Sequence, residues 1–340
     1  MLYVTTRDNR DAYTAHRALW QDRAPDGGLL LPLRLPVFSP EEVALLAEKS
    51  FGQRVAEVTN RLFDSKLTGW DVDFCIGRYP ARIAHLRHRI LLAEIWHNPQ
   101  SSYDWLVSNL LNLLMKNKAV PGNWAKIAVR IAVLFGIYGE LRKQGIVTAD
   151  IAVVSGDFSA PISAWYARKM GLPFENIIIC CNENNAIWDL VCHGQMRTDM
   201  QSKATNTPDA DVVVPENLER LIFSCGSYEE VQRYLQACRE GKSYIPSANV
   251  LTEMRNGLSV SVVGSDRIES TISGVFRTHG YAVSPYTALA YAGLLDYRTK
   301  TGQTRQAMVL AEKSSLSDAE TVAKALRMPT DDLKRWIAQN

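Results

Sequence analysis

Long apolar runs, an excess of either charge and cysteine pairs are all missing from this chain. No stretch approaches the ~18 consecutive apolar residues of a membrane-spanning helix, which excludes a helical membrane anchor. The 38 Lys and Arg nearly balance 36 Asp and Glu, for a net charge of +2. That balance leaves no electrostatic footprint for nucleic acid. The first ten residues are polar and lack the apolar segment of a secretory signal. The six cysteines, at 75, 180, 181, 192, 225 and 238, contain no C-x-x-C pair and no Cys/His cluster with zinc spacing. They read as reduced thiols used as small hydrophobes, with no metal site. P-loop, G-x-G-x-x-G, G-x-S-x-G and H-E-x-x-H patterns are absent, so nucleotide, hydrolase-triad and zinc-protease chemistry have no support. The expectation is a cytoplasmic globular protein with neither nucleic acid nor membrane as partner. Its 340 residues, 46% hydrophobic, suffice for two domains or one large one with an appendage.

What is present changes character along the chain. Residues 1–85 mix short strand and helix signals, beginning with Leu2 to Thr6 and a Gly/Pro turn at Ala24-Pro25-Asp26-Gly27-Gly28. Ser39-Pro40-Glu41-Glu42 is a helix start with a capping box and proline at the first helical position. Residues 86–340 read as an α/β core. Trp105 to Lys118 and Ala125 to Leu141 carry helical apolar patterns, the second almost uninterrupted. Strands at Ile151 to Val154, Ile177 to Cys181 and Gln306 to Ala311 alternate with helices, including ones capped by Ser227 and Ser265. That alternation predicts a mainly parallel sheet with helices on both faces.

Chemistry has few places to sit. The turn Ser155-Gly156-Asp157-Phe158-Ser159-Ala160 links a predicted strand to a helix, where backbone amides and a helix dipole can hold an anion. The same residues also make an ordinary structural turn. Asn182-Glu183-Asn184-Asn185 follows the next strand, and its amides could bind a substrate or satisfy loop backbone. His97 and Thr287 complete the candidates, each with an equally simple structural reading as a turn or capping residue.

Taken in order, several segments resemble threonine synthase, a pyridoxal phosphate (PLP) enzyme of fold type II. Tyr3-Val4-Thr5-Thr6-Arg7 is similar to the family's Y-x-S-T-R, and Ala24 to Leu29 to its A-P-D-G-G-L. Glu94-Ile95-Trp96-His97-Asn98-Pro99 resembles E-L-F-H-G-P, and Asn123-Trp124-Ala125 resembles N-W-A-R. Gly156 to Ala160 stands where the family has G-N-F-G-N, followed by Ala167 to Pro173 for A-K-K-M-G-L-P. Asn182-Glu183-Asn184 matches N-E-N, Asn217 to Leu221 resembles N-F-E-R-L, and Pro285, Thr287 and Ala288 match D-P-H-T-A. The resemblance implies a large domain with a parallel sheet, of PLP fold type II, behind a small N-terminal α+β segment. It implies a cofactor cradle at Gly156, Asp157, Phe158, Ser159 and Thr287, and substrate contacts at Asn182 and Asn184.

The departures set the functional expectation. The family's Schiff-base lysine closes H-G-P-T-x-A-F-K-D, and a gapless reading puts Asp104 in its place. A carboxylate cannot form a Schiff base. No lysine occurs between Lys66 and Lys116. Only about twenty-five residues separate His97 from Asn123, so the mobile cofactor and substrate domain is expected to be largely deleted, between about 104 and 122. In the phosphate loop a glycine is lost and Asp157 is gained; a carboxylate ~4 Å from a phosphate costs roughly 1–4 kcal/mol. The chain therefore reads as a pseudoenzyme, with no cofactor, a vestigial phosphate or anion site, and a cleft for a small polar metabolite. A homodimer or hetero-partner is expected to cover surface uncovered by the deletion. The alternative is a repurposed, lyase-type or PLP-independent acid–base enzyme with His97 and Asp104 as its catalytic groups.

Overall fold

The computed structural model describes residues 1–8, 10–76, 81–95, 103–115 and 122–339, with the backbone alone for 103–106. At the N-terminus, β1 (Leu2–Thr5) pairs antiparallel with both β2 (Tyr13–Thr14) and β3 (Leu30–Pro32). A short α1 (Ala15–Trp20) starts on a Thr14 cap. The expected capping box forms: Ser39 and Glu42 satisfy each other's amides at the head of α2 (Pro40–Glu48). Ser50 and Gln53 repeat the device at α3 (Phe51–Phe63), and α4 (Gly69–Ile76) closes the segment. Each box removes two orphan amides from a helix start.

The main sheet has six strands among the described residues. These are β4 (Arg82–Leu86), β5 (Ile90–Glu94), β6 (Ala149–Val154), β7 (Phe174–Cys181), β8 (Leu258–Val262) and β9 (Ala307–Ala311), in the order β4-β5-β9-β6-β7-β8. All neighbouring pairs from β5 to β8 are parallel. The edge pair β4–β5 is an antiparallel hairpin, so the sheet is mixed, a correction to the parallel sheet expected. The hairpin carries no Gly or Asn turn signal. Its corner is made by His88 and Arg89, both with positive φ, which is why the sequence did not announce it. Strand β4 also spans the 85/86 position at which the core was expected to begin.

Alternation along the strands separates two cores. Ile151 and Val153 of β6, with Ile177 and Ile179 of β7, face a core that also holds the N-terminal segment and the helices α5 (Tyr103–Met115), α6 (Asn123–Lys143) and α7 (Ser159–Lys169). Ala152, Ile178, Cys180 and Val309 face the other core. After the short α8 (Ala186–Trp188), helices α9 (Leu218–Cys225), α10 (Tyr228–Glu240) and α11 (Ala248–Arg255) join the first core. The second is covered by α12 (Ser265–His279), α13 (Pro285–Thr301), α14 (Ala319–Leu326) and α15 (Thr330–Gln339). A sheet buried on both faces needs continuous apolar runs, which Ile151–Val154 of β6, Ile177–Cys181 of β7 and Ala307–Ala311 of β9 supply. Helix α6 is buried on all sides from Ile127 to Gly139, so it is an internal helix and offers no interface.

One buried cation joins the N-terminal segment to the core. Arg220, fully buried on α9, donates from Nε and Nη2 to the Leu30 carbonyl of β3 at 3.1 and 2.9 Å. Its Nη1 reaches Asn123 Oδ1 at the head of α6 (2.5 Å) and Asn217 Oδ1. The guanidinium carbon lies 5.8 Å from the Trp124 ring centroid. Burial draws its pKa down to about 10, so it stays charged. The neighbouring Glu219 accepts from Thr6 and, through both oxygens, from Arg7 (3.0 Å each). Arg220→Met would strand the Leu30 carbonyl and two amide oxygens, at a cost of about 3–5 kcal/mol. Urea denaturation measures this directly, and a loss below about 1 kcal/mol would show that the node does not hold the two parts together.

Candidate functional site

A cavity of about 230 Å³ opens at the carboxyl ends of β6 and β9. This is where parallel sheets place ligands, because strand ends and helix starts converge there. One wall is the turn between β6 and α7. Gly156 has φ +42°, and the Phe158 amide donates to the Ser155 carbonyl at 2.7 Å. Phe158 itself has φ +69° yet is not glycine, and its ring is buried in the core. The second wall carries Asp209, the third Tyr286 at the start of α13, and the floor Glu312 and Lys313 just after β9, with Arg130 of α6 behind.

Charges in the cavity are paired off. Arg130 meets Glu312 in an ion pair. Lys313 bonds Asp209, and its ammonium lies 4.3 Å from the Tyr286 ring centroid. The Asp209 amide in turn donates to the Tyr286 hydroxyl at 3.1 Å. Burial disfavours the Lys313 charge, but the bond to Asp209 and the fields of its neighbours outweigh it, so its pKa is raised. Asp318 lies close to both, and its pKa is raised by burial first and by the Asp209 charge, against the pull of Lys313. Asp157 has a different partner: its Oδ1 accepts the Ser159 amide at 2.9 Å, the first residue of α7. Its carbonyl accepts both the backbone and side-chain N–H of Asn217, each at 3.2 Å.

The residues expected to form a site divide into three groups. Gly156, Asp157 and Ser159 line the cavity. Phe158 and Thr287 do not: Phe158 is core, and Thr287 is buried beneath its own cap, with its amide on Ser284 Oγ at 3.2 Å and its hydroxyl 3.1 Å from it. Asn182 and Asn184 are buried behind the wall. Both amides hold Asp211 Oδ1, at 2.7 and 3.1 Å, and Asn182 also donates to Thr205 and Thr207. They hold the loop that carries Asp209 into the cavity. Glu183 caps α12 by accepting the Ser265 amide at 2.7 Å, so Ser265 is the capped residue and not the cap. His97 lies outside the described residues; Asp104 lies on α5 with only its backbone described. Sequence reading missed Asp209, Tyr286, Glu312, Lys313 and Arg130, which come from four separate elements with no shared motif.

The fold settles the comparison with known structures. PLP-bound threonine synthase from Brucella melitensis superposes with a TM-score of 0.83 at 19% identity, over 96% of this chain and 91% of that one. Yeast threonine synthase gives 0.86 at 15% identity, over 96% and 90%, and the Escherichia coli enzyme 0.78 at 16%, over 96% and 92%. This is the threonine synthase fold. Residues 2–78 match the family model described as Threonine synthase N terminus. Curated relatives include threonine synthases of Pseudomonas aeruginosa (26% identity over 178 residues) and Eremothecium gossypii (25% over 182), and human Threonine synthase-like 1 (23% over 175). These alignments span about half of this chain but only 38%, 36% and 24% of the relatives' own length. The chain is thus homologous to threonine synthases, while the fold alignment runs further than the sequence similarity.

That end-to-end alignment overturns the expected deletion of a mobile domain. Each solved threonine synthase is covered over nine-tenths of its length, which leaves no room for a largely missing domain. The inference from the short His97–Asn123 spacing failed because architecture is set by the layers on either side of a connection. One shortened link does not remove a layer.

The cavity residues do not fit the PLP group that this fold implies. A 5′-phosphate at the β6–α7 turn would need the amides opening α7, and Asp157 places its own carboxylate on one of them. The described lysine in the cavity, Lys313, is engaged in an ion pair with Asp209.

Glu94 closes β5 at the same end of the sheet, beside Ala311 of β9. It accepts from the Tyr281 hydroxyl, and Arg82 lies 4.0 Å away. Burial lifts its pKa to about 7 against the weaker pull of Arg82. The folded state therefore binds the proton more tightly than the unfolded chain. Glu94's contribution is fully present below the ordinary 4.5 and is lost as pH rises through 7, by at most about 3–4 kcal/mol. Thermal melts of wild type and Glu94→Gln between pH 4 and 8 should differ in slope over that window, wild type losing stability faster. Parallel curves would place the Glu94 pKa in the ordinary range.

Proposed function

We propose that this threonine synthase homologue works without PLP, as a non-catalytic, cytoplasmic binding protein of amino-acid-related metabolism. The observation that carries the reading is the Asp157 carboxylate seated on the Ser159 amide. In this fold the turn from strand to helix is the natural anion position, and here the chain supplies its own anion. An incoming phosphate would have to displace it or sit against it. The sequence around Asp104, with no lysine from 67 to 115, points the same way. With cofactor chemistry removed, a small polar cavity remains, suited to holding a metabolite and reporting its presence to a partner.

A second reading, a PLP-independent acid–base enzyme, is favoured by Glu94. A carboxyl with a pKa near 7, hydrogen-bonded to a tyrosine, is poised to exchange protons at neutral pH. Its place at the sheet's carboxyl edge agrees with this role. The PLP-free reading covers both.

The decisive measurement is chemical. Purified protein is incubated with excess PLP, reduced with borohydride, and weighed intact. The expected result is an unchanged mass and no absorbance of a bound cofactor. A single stoichiometric adduct mapped to one lysine would sink the PLP-free reading, and with it both versions of the function.

A further inference from the structure

Helix α4 buries Val72 and Ile76 against the N-terminal core, yet its outer face is not polar. Trp70 and Phe74, one turn apart, are 65% and 73% exposed. Their rings stack, with centroids 5.2 Å and planes 18° apart. Two large rings held together in water have the composition of a contact surface. They border an open hollow of about 500 Å³ that is also lined by Ser50, Gln53, Thr68 and Asp73. Most of its polar groups are engaged at helix starts. Ser50 and Gln53 cap each other at the head of α3, and the Thr68 hydroxyl donates to Asp71 at 2.6 Å. Asp73 is the one charged residue of this lining, and its carboxylate has no ion pair or hydrogen bond among the described residues. Its Oδ1 occupies the space that a β-carbon on Gly52 would take, so α3 fixes where the charge stands. A second hollow beyond Gln53 holds Lys49, Glu57 and Arg61, but there both cations are matched to carboxylates. The uncommitted charge beside the rings is therefore negative.

We propose that the α4 face docks a segment of another polypeptide through an arginine, its guanidinium on the Trp70 ring and hydrogen-bonded to Asp73. Charge complementarity carries the assignment: an unpaired carboxylate next to two open rings is matched by a cation that can use both. A guanidinium does so, because its planar face stacks on an aromatic ring while its edge forks onto a carboxylate. An ammonium is held more strongly by water and has no flat face to stack. The hollow is larger than one guanidinium, so the residues flanking the arginine fill it against Phe74. A second copy of this chain is the poorer occupant, since a two-fold contact centred on this face would set Asp73 against Asp73. The surface shares no residue with the cavity at the sheet's carboxyl end, so it goes beyond the PLP-free reading and is independent of it.

The test titrates the full chain with the peptide acetyl-Gly-Pro-Arg-Pro-Gly-amide, followed by backbone amide and indole N–H chemical shifts. The controls carry citrulline or lysine in place of the arginine, and N-acetyl-arginine amide tests the side chain alone. The arginine peptide should move the Trp70 indole signal and the amides of residues 50–53 and 68–74. Affinity should fall in the order arginine, lysine, citrulline, and should weaken as salt is added. Trp70→Ala and Asp73→Asn should each weaken binding about threefold, the size of one exposed cation–π contact or one exposed ion pair, and together about tenfold. Both side chains are at the surface, so the fold should persist, which circular dichroism verifies; each variant tests the proposal without the other. Equal affinity for the arginine and citrulline peptides overturns it, as do shifts confined to other surfaces or unchanged binding in both variants. N-acetyl-arginine amide binding as tightly as the peptide would mark a small-molecule site and overturn the docked segment. Self-association of the protein alone, seen by sedimentation and abolished by Trp70→Ala, would give the surface to a second copy and overturn it too.

Discussion

The Arg220 guanidinium is the point on which the architecture turns. A cation buried without a carboxylate in direct contact must be satisfied by oriented dipoles, and this one makes four hydrogen bonds from its rigid fork. Its acceptors come from three distant parts of the chain: β3, the start of α6 and the approach to α9. None of these can move without stranding a donor in a dry interior. The effect reaches the cavity. Asn217, which accepts from Arg220, also donates twice to the Asp157 carbonyl. The same residue that helps lock the N-terminal sheet therefore fixes the turn whose carboxylate sits at the head of α7.

This explains what the recognisable motifs are for. Thr6 and Arg7 bind Glu219; Asn123, Trp124 and Asn217 surround Arg220. Asn182 and Asn184 secure the loop before Asp211. The segments that carried the resemblance are those that hold the fold, and a fold can persist through them when the chemistry at its centre changes. Similarity at such positions is strong testimony about architecture and weak testimony about reaction.

The strands β6, β7 and β9 were readable because a sheet buried on both faces demands unbroken apolar runs, and Ile151–Val154 and Ile177–Cys181 provide them. The α2 cap was readable because Ser39 and Glu42 stand at fixed spacing. The β4–β5 hairpin was not, since its corner uses His88 and Arg89 in a conformation that other residues adopt more readily. The cavity was half readable. Gly156, Asp157 and Ser159 are contiguous, so a strand–turn–helix pattern found them. Arg130, Asp209, Glu312 and Lys313 are brought together only by the sheet order, which places β9 between β5 and β6. The length argument failed for a related reason: sequence spacing measures the chain between two motifs, and not the layers packed around them.

The composition of the cavity wall bears on how such a site would receive an anion. Removing a lysine alone would leave a phosphate-shaped hollow, still attractive to anions through the amides of α7. Asp157 fills that attraction from within, at the cost of one charge whose own field then extends into the cavity. Pairing Lys313 with Asp209, and Arg130 with Glu312, cancels the remaining positive centres. Each step alone merely weakens anion binding. Together they leave little uncompensated positive charge for an anion to meet at the head of α7.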